Sequence, residues 1–159
     1  MSTDPTASRS ASRKPASPDG AADGKPGAMP EYVLIVEDDA VLGLAMEDAL
    51  SDAGVKTVEL CASTEAALAA LRERQPDAIV LDVHLADRDD GWAVAELVRT
   101  LGPNSPRIVF STGAPQDIPE NVVELGCVME KPYRPEELVE LLREPRRRGL
   151  MSRLRGALR

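Results

Sequence analysis

The chain is poor in aromatic residues. One Trp, two Tyr and one Phe among 159 residues make up 3% of the sequence. An interior built without rings has to be filled by Ala, Val, Leu and Ile, and 43% hydrophobic content supplies them in the proportion usual for a globular protein. Cysteine is almost as scarce. Cys61 and Cys127 stand alone in apolar surroundings, without metal-type spacing, so they are expected to be small core residues in a reducing compartment rather than a disulfide framework. No apolar run approaches the roughly 20 residues that cross a bilayer, and the N-terminus is too polar for a signal peptide. A transmembrane segment is not expected, and a cytoplasmic location is. The length allows one domain with a substantial core plus modest extensions, not two full domains.

Charge is unevenly spread. The net −8 resolves into +1 for residues 1–30, −15 for residues 31–144 and +6 for residues 145–159, where six Arg meet no acid. The middle segment should attract cations and repel nucleic acid, and the tail should do the reverse. Residues 1–30 are dominated by Ser, Ala, Pro, Asp and Gly and are expected to form a disordered leader. In the tail, Leu150, Met151, Leu154 and Leu158 fall on one helical face among Arg146, Arg147, Arg148, Arg153, Arg155 and Arg159. That pattern suits a basic amphipathic helix for a membrane surface or a partner groove, a weak internal lid, nucleic-acid contact, or a frayed extension.

Between them, over residues 31–144, short apolar runs alternate with helical periodicity, the signature of repeated β-α units and a parallel sheet. Strands are expected at 32–36, 56–60, 78–81, 107–111 and 127–129. A first helix carries Leu42, Ala45, Met46, Ala49, Leu50 and Ala53, with Gly54 as its stop. Ser63 caps a second helix with Ala67, Leu68, Ala70 and Leu71. Val94, Leu97, Val98 and Leu101 mark a third. The last begins at Pro135, buries Leu138, Leu141 and Leu142, and ends before Pro145. Pro115 and Pro119 leave too little room for a regular helix between Thr112 and Cys127, so the fourth is expected to be short or irregular and its segment mobile.

In an open parallel α/β sheet, ligands bind beyond the carboxyl ends of the strands. Those ends carry Glu37-Asp38-Asp39, Asp82, Ser111-Thr112-Gly113 and Glu130-Lys131-Pro132. Taken singly, each residue says less: strand-end acids are commonly helix caps, Thr112 is a turn residue, and a lone Lys131-Pro132 says very little. Together they form a set. Three converging carboxylates repel by roughly 4 kcal/mol per pair at about 4 Å and call for a cation, and an all-oxygen donor set suits Mg²⁺. Thr112 could hydrogen-bond a phosphoryl oxygen and Lys131 neutralise its charge, which describes phosphoryl transfer to a carboxylate nucleophile.

Over residues 31–143 the chain resembles the receiver domains of two-component response regulators. The resemblance rests on Val33-Leu34-Ile35-Val36-Glu37-Asp38-Asp39, Ile79-Val80-Leu81-Asp82-Val83, Asp90-Gly91-Trp92, Val109-Phe110-Ser111-Thr112-Gly113 and Glu130-Lys131-Pro132-Tyr133. It implies a doubly wound, flavodoxin-like α/β fold with five parallel strands in the order 2-1-3-4-5. It also implies that Asp82 is the phosphoacceptor, charged by a histidine kinase or a histidine phosphotransfer protein. Mg²⁺ would be held by Asp38 directly, by Glu37 mainly through water, by Asp82 and by the backbone carbonyl of His84. Asp39 would cap a helix, Thr112 would be the switch hydroxyl, Lys131 would pair with the phosphoryl group, and the Lys131-Pro132 bond would be cis. The His84 side chain, the only imidazole, is expected to face solvent.

Two positions and one stretch depart from the family pattern. Val128 stands where most receivers carry a switch aromatic, Ala86 replaces a common Pro, and the stretch from Thr112 to Lys131 is compressed. The compression and the Phe110-Ser111-Thr112-Gly113 run resemble a subclass of stand-alone alphaproteobacterial receivers whose motif reads Phe-Ala-Thr-Gly-Tyr, with Ala114 in place of the Tyr. In that subclass signalling would work by ordering the Thr112 to Cys127 segment. The expected role is a signalling domain, not a turnover enzyme, with an unidentified downstream protein and no direct DNA binding. Two other classes compete. A Mg²⁺-dependent phosphohydrolase with an aspartyl-phosphate intermediate usually has a second Asp two residues after the first, where this chain has His84. A receiver-fold binding module without phosphorylation would have no need for the full site set.

Overall fold

The computed structural model describes residues 27–87, 92–100 and 102–146. The expectations placed on residues 1–26, on Asp90 and Gly91, on Leu101 and on residues 147–159 lie outside them.

Five parallel strands, β1 (Tyr32–Val36), β2 (Thr57–Cys61), β3 (Ala78–Asp82), β4 (Arg107–Thr112) and β5 (Gly126–Glu130), pair in the order β2-β1-β3-β4-β5. The helices between them are α1 (Ala40–Asp52), α2 (Thr64–Glu73), α3 (Trp92–Thr100), α4 (Glu120–Val123) and α5 (Pro135–Arg143). This is the expected doubly wound topology. β1 and β3 are buried at every position, as a sheet covered on both faces requires, so their sequences read as unbroken apolar runs.

Side-chain alternation along the strands divides the interior into two layers. Leu34, Val36, Ile79, Leu81, Ile108 and Phe110 pack with Ala67 and Ala70 of α2, Val94 and Val98 of α3 and Val122 of α4. Val33, Ile35, Val80 and Val109 turn the other way, onto Met46 and Leu50 of α1 and Leu138 and Leu142 of α5. Cys61 is buried and Cys127 half-buried, and both are free thiols. Burial raises the Cys61 pKa, and the charge of Glu59 adds to the effect.

Local signals place the helix ends. Ser63 Oγ accepts from Ala66 N at 3.1 Å, α5 starts at Pro135, and Gly54 follows α1 with φ at +101°, a conformation that disfavours any residue with a Cβ. Several strand boundaries differ from expectation, and β5 also begins one residue early, at Gly126. β2 begins at Thr57 instead of Lys56 and runs on to Cys61, because its register is set by pairing with β1, Tyr32 opposite Thr57 and Val36 opposite Cys61. Asp82, Thr112 and Glu130, expected just beyond the strands, are the last residues of theirs. The Thr112 to Cys127 interval folds as a 3₁₀ turn (Pro115–Asp117) followed by the four-residue α4. Ile118 and Val122 tie it into the core. No helix among the described residues is long and apolar enough to cross a membrane.

Candidate metal and phosphoryl site

The carboxyl ends of β1, β3, β4 and β5 meet in one crevice. Glu37 and Asp82 are buried there, Asp38 is exposed at the rim, and one oxygen of each lies within 4.8 Å of the others. Residues distant in sequence are thus brought together, as expected. Lys131, just beyond β5, sends Nζ to Glu37 Oε2 at 3.0 Å and to Asp82 Oδ2 at 3.3 Å. The other oxygen of Asp82 accepts from the backbone N–H of His84 at 2.9 Å. The His84 side chain is exposed, as expected, and lies beside Gly113.

Asp39 acts as a cap. Its Oδ1 accepts from Val41 N at 2.9 Å and Leu42 N at 3.1 Å, opening α1, while its own N–H donates to Glu37 Oε1 at 3.1 Å. The helix is therefore fastened to the acidic pair that precedes it.

Thr112 is fully buried, and its hydroxyl accepts from Ala114 N at 3.0 Å. Its carbonyl accepts from Lys131 N at 2.7 Å, so the ends of β4 and β5 are held side by side. The Lys131–Pro132 peptide is cis, as the resemblance implies. Val128, in the position of the missing switch aromatic, packs against the α2–α4 layer.

Burial raises the Glu37 pKa, the Asp39 and Lys131 hydrogen bonds work against that rise, and Asp82 adds to it. For Lys131, burial acts against the charge, but the hydrogen bond to Glu37 and the charges of Asp82 and Glu37 outweigh it and the pKa rises. One ammonium cannot offset three clustered acidic groups. The donor set is all oxygen, with two buried ligand groups and one at the solvent edge, which fits a hard divalent cation that keeps part of its hydration shell. Glu37, Asp38 and Asp82 are the residues that fit Mg²⁺.

One feature went unassigned in the sequence. Ser111 Oγ lies 2.8 Å from the hydroxyl of Tyr133, which also reaches Met46 Sδ at 3.4 Å. Both residues lie inside recognisable motifs, but only strand alternation, which turns Ser111 toward the side of Val109, could have pointed to their meeting.

The sequence model of the response regulator receiver domain matches residues 33–143. Response regulator MprA of Mycobacterium sp. (strain KMS) is 33% identical over 124 residues, covering 76% of this chain and 52% of that protein. The chain thus spans about half the length of the MprA relatives it matches. Chemotaxis protein CheY of Thermotoga maritima is 26% identical over 116 residues, covering 72% of this chain and 96% of that protein. Among solved structures, chemotaxis response regulator CheY4 of Vibrio cholerae superposes with a TM-score of 0.58 at 26% identity, over 70% of this chain and 94% of that one. With its sheet order, its strand-end acids and its family match in agreement, the chain belongs to the response regulator receiver domain family.

Proposed function

We propose that Asp82 accepts a phosphoryl group from a histidine kinase or a histidine phosphotransfer protein in a Mg²⁺-dependent reaction. The signal then leaves as phosphorylation-dependent contact with another protein. The observation that carries this reading is the setting of Asp82, whose Oδ2 lies 3.3 Å from Lys131 Nζ and whose carboxylate shares the 4.8 Å cluster with Glu37 and Asp38. A carboxylate oxygen of Asp82 attacks phosphorus, the P–N bond of the donor phosphohistidine breaks, and the electron pair stays on the imidazole, which takes up a proton. Asp38 and Asp82, with Glu37 behind them and the His84 carbonyl alongside, would hold Mg²⁺, which when bound neutralises charge on the phosphoryl oxygens. Lys131 binds one of those oxygens and Thr112 donates its hydroxyl to another. A cytoplasmic location and a 31–144 signalling unit belong to the same proposal.

The phosphohydrolase alternative needs a second acid to protonate the leaving group. At the corresponding position His84 offers Asp82 a backbone N–H. Incubation with acetyl phosphate and Mg²⁺, followed by intact mass, separates the readings. A lasting gain of one phosphoryl group supports the receiver reading, continuous phosphomonoester turnover supports the hydrolase, and no reaction supports a binding module.

A further inference from the structure

We propose that the Ser111–Tyr133 hydroxyl pair is a positioning device that holds Lys131 and Thr112 in register for phosphoryl transfer. The inference rests on Asp82 being the phosphoacceptor. Ser111 is fully buried and stands opposite Asp82 on β3 and Met129 on β5. Its hydroxyl meets that of Tyr133 at 2.8 Å, and the Tyr133 hydroxyl also reaches Met46 Sδ at 3.4 Å. Either hydroxyl can donate across the 2.8 Å contact, and the chain of contacts runs from β4 through the segment after β5 to α1.

Two attachments then join the same pair of segments. Lys131 N donates to the Thr112 carbonyl at 2.7 Å, and one residue before and two residues after those atoms the Ser111 and Tyr133 hydroxyls form the second bond. β4 and β5 stay paired up to Thr112 opposite Glu130, and past that point one backbone bond leaves the segment after β5 free to pivot at the end of the ladder. Two bonds remove the pivot and fix the direction in which the Lys131 stem leaves the backbone. A lysine stem has many rotamers to lose, and Nζ holds both Glu37 and Asp82 only in a narrow set of them. Since phosphoryl transfer depends on placement of charge more than on covalent chemistry, loosening this attachment slows the reaction without touching a ligand.

A plainer role, satisfying the buried Ser111 hydroxyl and nothing more, makes a different forecast. Tyr133→Phe orphans that hydroxyl, whereas removing both hydroxyls orphans nothing. The test compares the full-length protein with Ser111→Ala, Tyr133→Phe and the double variant, measuring the limiting rate of phosphorylation by acetyl phosphate, the concentration that half-saturates it, Mg²⁺ affinity and the urea midpoint. Each single variant should lose about three- to tenfold in limiting rate, the worth of one net hydrogen bond, with Mg²⁺ affinity unchanged. The double variant should be no slower than either single one, yet should recover the urea midpoint lost in Tyr133→Phe. A double variant phosphorylated at the wild-type rate, or single variants that are stable and unslowed, would overturn the proposal. Failure of the wild-type chain to be phosphorylated would instead sink the assignment of Asp82.

Discussion

Replacing Lys131 by alanine removes the ammonium that bridges the two buried carboxylates. At an effective dielectric near 20, its attractions at 3.0 Å to Glu37 and 3.3 Å to Asp82 amount to about 5 kcal/mol each in gross terms. The cost of drawing the ammonium out of water offsets much of that, and losing one partner of a buried pair typically leaves a net deficit of about 3–5 kcal/mol. The Lys131 side chain is 22% exposed, which favours the lower figure, about 3 kcal/mol. Metal then becomes more valuable. In the Mg²⁺-free variant the carboxylates repel without compensation, so saturating Mg²⁺ should stabilise Lys131→Ala by more than it stabilises the wild type. Urea unfolding of both proteins at neutral pH, with Mg²⁺ and with chelator, measures both quantities. A chelator-state loss under about 1 kcal/mol, or equal Mg²⁺ increments in the two proteins, would refute the electrostatic account of the cluster.

Glu37 has a folded-state pKa above its ordinary carboxylate value, with burial the main cause. Its contribution to stability is therefore complete below that ordinary value and lost as pH rises through the elevated one. Mg²⁺-free unfolding should show this decline across mildly acidic pH, and Glu37→Gln should flatten it. Lys131, also raised, stabilises below the usual lysine range and stops doing so only in strong alkali, a loss that Lys131→Ala should lack in pH-resolved unfolding. Asp39→Ala should cost about 1 kcal/mol by uncapping α1, seen in the urea midpoint. At Gly126 a Cβ would meet the Ile108 carbonyl oxygen and lie 2.9 Å from Ile108 Cβ. Gly126→Ala should accordingly destabilise by about 1–3 kcal/mol, measured the same way.

Much of the fold was legible because its signals are local. Ser63, Gly54 and Pro135 each act within a turn of the chain, and the all-buried runs of β1 and β3 follow from a sheet covered twice. The β2 boundary was not local. Lys56 and Cys61 compete for inclusion in an edge strand, and only pairing with β1 decides between them. On α1 the periodicity placed Leu42, Ala45 and Ala49 inward, and they are half-buried, while Gly43 shares the buried face with Met46 and Leu50. Of the site, the acids, Thr112 and Lys131 could be read because strand ends in a parallel sheet converge wherever they lie in sequence. The Ser111–Tyr133 bond depends on strand parity and on the path of the chain after Lys131, and neither is written in any short stretch of residues.

The central claim is that Asp82 becomes an acyl phosphate in a pocket that needs a divalent ion. Borohydride reduction after treatment with acetyl phosphate, followed by peptide mass mapping, reads out which residue was phosphorylated. The account predicts conversion at position 82 with Mg²⁺ present, none with chelator, and none in Asp82→Asn. Modification at another residue, or equal modification without any divalent cation, would contradict it.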